Sequence, residues 1–161
     1  MDLIFEKCKK LFLEKLEDYD LSWIFLKENS IIDQIFIKIF RIKNIKIKKS
    51  QSVIEEEIID TYIDIINYII ILLIKLYVKK KQMEKVINHN NIINLYNKKV
   101  EVIKNCMKNN LYKKKFSSIE DLFKEISYLK NHKEIFFSYE KLKKVLLIIL
   151  KGTLKLLENK K

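Results

Sequence analysis

Four oxygen-bearing side chains share one face of an otherwise apolar segment. Glu56, Asp60, Asp64 and Asn67 stand at i, i+4, i+8 and i+11 of EEEIIDTYIDIINYIIILLIKL (55–76). At about 100° per residue they fall within a sector of roughly 80° on a helix. Glu56 sits near the N-terminal end, where the helix dipole favours an acid. Asp64 is flanked by Ile63, Ile65 and Ile66, and an unpaired charge in such surroundings is costly. It calls for a Lys, an Arg or a divalent cation. Mg²⁺ takes oxygen ligands from one or two carboxylates plus substrate phosphates. Glu56, Asp60 and Asp64 are therefore candidate metal ligands, with Asp64 and Glu56 as candidate catalytic carboxylates.

A second segment offers cations. In NSIIDQIFIKIFRIKN (29–44), Gln34, Lys38 and Arg41 form a narrow polar stripe. Arg41 is the only arginine in the chain, and its planar fork suits bidentate contact with phosphate or carboxylate. A carboxylate stripe facing a cationic one has two readings. One is an internal salt-bridge network. The other is a polar pocket for a phosphorylated ligand with a metal. A third segment, EDYDLSW (17–23), carries Asp18, Tyr19 and the single tryptophan, Trp23. Trp23 either plugs the core or stacks on a base.

Other chemistries lack their parts. There is no Gly-rich phosphate loop, nucleophile elbow or Ser-His-Asp set. Cys8 and Cys106 are far apart, which suits reduced thiols in a cytoplasmic protein. His89 and His132 form no zinc-ligand spacing.

Composition bounds the rest. At 161 residues the chain is long enough for one domain. It has 32 Lys, 29 Ile and 13 Asn, against one Gly, one Arg, no Pro and no Ala. Those choices follow AT-rich codons, so the net charge of +12 need not mark a nucleic-acid partner. The charge is uneven: residues 1–80 carry a net +1 and residues 81–161 a net +11. A solvated lysine surface and a functional basic patch both fit that asymmetry. The uncharged run of the apolar stretch, Ile65 to Ile74, has ten residues. A membrane span needs about 20, so this run is read as a buried core helix and no membrane is expected. The N-terminus, MDLIFEKCKK, shows no secretory pattern.

The elements that must position these residues are all helical. Apolar residues recur at helical spacing and no strand-like alternation persists. The pattern predicts helices near 2–18, 30–46, 52–80, 91–111, 117–132 and 138–158, with loops between them. Ser30/Asp33, Ser52/Glu55 and Ser117/Glu120 resemble capping boxes. The halves resemble a worn repeat of three helices each, 1–80 and 81–161. NSIIDQIFIKIFRIKN (29–44) aligns without gaps on FSSIEDLFKEISYLKN (116–131), and TYIDIINYIIILLIKL (61–76) on SYEKLKKVLLIILKGT (138–153). The apolar positions match, while Lys38, Arg41, Asp64 and Asn67 become Glu125, Tyr128, Lys141 and Lys144.

EKLEDYDLSW, ENSIIDQIFIKIFRI and EEEIIDTYIDIINYIIILLIKL together resemble the nucleotide-modification-associated domain 1 family, an all-helical bacterial and phage domain. The resemblance runs through residues 8–76. Asp20 stands where that family has Gly, and Lys27 where it has Arg. The resemblance implies a role in nucleotide or modified-base metabolism. Carried across by position, it implies ligand contacts from Asp18, Tyr19, Trp23, Asp33, Lys38, Arg41, Asn67 and Tyr68, beside the acids Glu56 and Asp64. A looser similarity joins Glu57-Ile-Ile-Asp60 and Glu14-Lys-Leu-Glu17 to the paired acidic motifs of MazG-type nucleotide pyrophosphatases.

The expectation is thus an all-α bundle of about six helices in one domain. It would bind a nucleotide through Mg²⁺ and hydrolyse nucleoside triphosphates, with metal-activated water attacking in line. The alternative is a non-enzymatic interaction module whose basic second half binds nucleic acid or an acidic protein. A homodimer that completes the pocket is compatible with either.

Overall fold

The computed structural model describes residues 1–48 and 51–160, and the side chains of all but 46–54 among them. Six helices follow one another: α1 (Asp2–Tyr19), α2 (Glu28–Lys48), α3 (Gln51–Lys80), α4 (His89–Lys108), α5 (Ile119–Asn131) and α6 (Tyr139–Glu158). Short 3-10 turns, Ser22–Phe25 and Lys133–Phe137, precede α2 and α6. No strand occurs among the described residues. The all-α bundle expected from the periodicity is what forms.

The axis of the bundle is α3. Ile58, Ile65, Ile66, Ile69, Ile70, Leu72 and Ile74 are all fully buried in it. Its apolar stretch is long enough to cross a membrane, yet 78% of the most apolar window is covered by the protein itself. Helices α1, α2, α4 and α6 all pack on it. α2 runs back along α3, with Glu28–Lys79 (3.1 Å) at one end and Lys38–Asp64 (2.6 Å) midway along α2. α5 lies antiparallel on α2, fixed by Lys130–Asp33 (2.8 Å) and Lys43–Glu120 (3.0 Å). α4 runs antiparallel to α1, with Lys104–Asp2 (2.9 Å) at one end and Asp20 meeting His89 at the other. Lysines 104 and 130 of the basic half thus engage acids of the first half.

A chain with one Gly and no Pro needs other ways to stop its helices. After α3, Gln82 takes φ 54°. Its amide donates to the Lys79 carbonyl and the Met83 amide to the Val78 carbonyl. That pairing is a Schellman stop. Asn110 (φ 48°) repeats it after α4, with Asn110 N–H on Met107 and Leu111 N–H on Cys106. Starts differ from the sequence reading in two places. α2 begins at Glu28, so Ser30 lies inside it rather than capping it. Ser118, not Ser117, caps α5, and Asp121, not Glu120, is the acid: its carboxylate accepts from both serine backbone amides and from the Ser117 hydroxyl. The cap expected of Ser52 rests on a side chain outside those described; of the loop expected at 47–51, residues 47, 48 and 51 are helical, and 49 and 50 lie outside the described residues.

The segments aligned as repeats pack on each other, α2 on α5 and α3 on α6. The polar pair is not repeated. Glu125, the counterpart of Lys38, is buried and meets Lys114 of the preceding loop.

Candidate functional site

Asp64 is not an isolated carboxylate. Lys38 of α2 contacts its Oδ2 at 2.6 Å and Lys15 of α1 its Oδ1 at 3.5 Å. The side chains of Asp64 and Lys38 are each 20% exposed, and that of Lys15 35%. One carboxylate in a crevice thus sets two ammonium groups side by side, and each keeps donors for another partner.

Lys15 links this triad to a cleft. Its ammonium lies 5.2 Å from the ring centroid of Tyr68. Phe12, Leu16, Tyr19, Trp23 and Tyr68 are among the residues that, with Lys15, line a cavity of about 340 Å³ between α1, the first 3-10 turn and α3. Ser22 supplies a hydroxyl there. The 3-10 turn is held in place because Lys75 donates to the Ile24 carbonyl. Trp23 is half-buried: it packs on the core and faces the cleft. Tyr19 is exposed at the rim, beside the lip formed by Leu26. An aromatic cleft beside two ammoniums can hold a flat ring and an anion at once.

The turn that follows Tyr19 is strained. Asp20 adopts φ 52°, ψ −141°, a region that suits glycine. Its carboxylate meets His89, and that hydrogen bond holds the acid below its usual range. The contact is exposed and so stabilises little. Asp20→Gly is therefore expected to raise the melting temperature by about 2–4 °C, the shift that relief of about 1 kcal/mol of backbone strain gives at this chain length. Circular dichroism melts of the two proteins check it.

The sequence candidates divide into groups. Tyr19, Trp23 and Tyr68 reach the cleft, and Lys38 and Asp64 adjoin it through Lys15. Asn67 points elsewhere. It is 2% exposed, its Nδ2 donates to the Cys8 carbonyl (2.9 Å), and its Oδ1 accepts from the Tyr96 hydroxyl (2.7 Å). Burial pushes the Tyr96 phenol far up and the Cys8 thiol to about 12, so both stay neutral. Asn67 thus ties α1, α3 and α4 together behind the cleft. Asp33 is taken by Lys130 of α5. Asp18 and Arg41 are exposed.

The three acids read as metal ligands do not gather. Glu56 and Asp60 are exposed, and among the described residues no three His, Cys, Asp or Glu side chains lie together as a metal site. Glu56 and Asp64, eight residues apart, are separated by about 12 Å of helix, which one ion with ligand distances of about 2.1 Å does not bridge. Both oxygens of Asp64 already meet ammoniums. The donor set does not fit a shared Mg²⁺.

Lys15 is the residue that sequence reasoning missed. Its signal was its place three residues before Asp18-Tyr19 in EKLEDYDLSW, obscured by the abundance of lysine.

No curated protein and no solved structure matches this chain. A family model does, over the stretch that runs from Lys15 through the 3-10 turn and α2 to Leu76. That stretch contributes Lys38, Asp64 and every lining residue named above except Phe12. Residues 15–76 match the family described as nucleotide modification associated domain 1.

Proposed function

We propose that the cleft between α1, the first 3-10 turn and α3 binds a nucleotide. The base lies among Tyr19, Trp23 and Tyr68, and the phosphate meets Lys15 and Lys38. The observation that carries this reading is a coincidence of place: the segment matched by the nucleotide-associated family also builds the aromatic cleft and its ammonium pair. Stacking on aromatic side chains is worth about 1–3 kcal/mol per base and tolerates different bases. Ammonium–phosphate contacts add charge-assisted hydrogen bonds. Asp64 acts as a positioning residue that keeps both ammoniums at the mouth. Because the acids do not fit a shared metal, no hydrolytic step is assigned to them.

A melting-temperature panel tests the reading. A ligand at about 100 times its Kd stabilises by about 2.7 kcal/mol, which is about 5–10 °C for a domain of this length. The expected result is such a shift with at least one nucleotide, and its loss in Trp23→Leu. A panel with no shift for any nucleotide contradicts the proposal. A shift with oligonucleotides alone, vanishing as salt rises, would instead support an interaction module working through the basic half.

A further inference from the structure

We propose that the ligand class of this cleft is a nucleoside bearing a single phosphate, held without a metal ion. This rests on the nucleotide reading above and adds the charge of the ligand to it.

Three observations lead there. The first is size. A cavity of about 340 Å³ is near the lower limit for small-molecule sites, about 300–1,000 Å³. It suits a base and sugar, and leaves a phosphate chain outside.

The second is the charge at the mouth. Two ammoniums and one carboxylate, Lys15, Lys38 and Asp64, leave a net +1. A monophosphate carries about −1.5 to −2 near neutral pH, so one such group already uses up the positive charge and leaves the site at about −0.5 to −1. Asp64 presents one oxygen to each lysine. The ammoniums are therefore positioned before ligand arrives, which lowers the ordering cost of binding.

The third is what lies beyond the pair. The polar stripe of α3 continues toward its N-terminus as Asp60 and Glu56, both exposed. Because α2 is antiparallel to α3, Arg41 lies on the same side of the ammonium pair as Asp60. It is exposed and makes no ion pair among the described residues. Two carboxylates and one guanidinium give a net −1 along that path. A second and third phosphate therefore gain no attraction from these three side chains. Among the described residues no three acids gather to hold a Mg²⁺ ion that would offset this repulsion.

Calorimetric titrations of one nucleoside and its mono-, di- and triphosphates, first in EDTA and then with Mg²⁺, provide the test. The monophosphate is expected to bind about tenfold more tightly than the nucleoside, the gain of one charge-assisted contact. The di- and triphosphates are expected to bind no more tightly than the monophosphate, with Mg²⁺ changing none of the affinities. In Lys15→Met the difference between nucleoside and monophosphate disappears. A triphosphate that binds tenfold more tightly than the monophosphate, or only with Mg²⁺, overturns this inference and leaves the nucleotide reading standing. A nucleoside that binds as well as its monophosphate also overturns it. No heat with any of the four overturns both.

Discussion

Replacing Asn67 with Leu is expected to remove about 2–4 kcal/mol of folding stability. The side chain is buried where three helices meet, and both ends of its amide are used. Leucine has a similar volume but leaves the Tyr96 hydroxyl without a partner, and it removes the bond that the Cys8 carbonyl accepts beside its own helical one. The orphaned hydroxyl costs about 1–3 kcal/mol and the lost hydrogen bond about 0.5–1.5 kcal/mol. Tyr96 cannot turn away to water, because it is 1% exposed and its ring is stacked on Phe12 with centroids 4.3 Å apart. Small domains have about 5–15 kcal/mol in all, so the loss is a large fraction of the total. Urea unfolding followed by circular dichroism measures it. Tyr96→Phe should cost less, about 1–2 kcal/mol, because it deletes one bond and leaves only the Asn67 carbonyl group unpaired. A loss below 1 kcal/mol for Asn67→Leu would contradict the bridging role.

Gly152→Ala is expected to destabilise by about 1–2 kcal/mol, although alanine is the better helix former. A methyl group at this position in α6 would stand 2.7 Å from the Phe116 ring and 2.8 Å from Leu122. Phe116 and Leu122 are both fully buried, so neither has free space to move into. Overpacking of this kind costs about 1–3 kcal/mol, against a propensity gain of up to about 1 kcal/mol. The steric loss is the larger. Thermal melts check the sign, and a stabilised variant would show that the Phe116 ring can shift. In a sequence whose composition disfavours glycine, this one is kept by a close approach between a helix and an aromatic ring.

The helices were legible because their periodicity is long and regular. Their ends were less so. At α5, paired serines precede paired acids, and local sequence does not choose between Ser117/Glu120 and Ser118/Asp121. Geometry chooses the second. At α2, Ser30 looks like a cap, yet the helix starts at Glu28, which pairs with Lys79 of α3. The meeting of Lys38 with Asp64 was implied by two facing stripes. The inward turn of Asn67 was not. It shares a sector with Glu56 and Asp60 on a bare helix, but α1 and α4 cover that end of α3 and leave the acids in solvent. Which part of a stripe is covered depends on where the other helices pack. The same reason hid Lys15, whose role appears only when α1 is laid across α3.

The most direct test of the cleft as a ligand site uses Trp23, the only tryptophan in the chain. Its fluorescence reports on one wall of the cavity. Titration with a nucleoside monophosphate should quench or shift the emission saturably, and Lys15→Met should weaken the apparent affinity about tenfold. Emission that stays unchanged while the same nucleotide binds by calorimetry would place the ligand elsewhere and contradict the account.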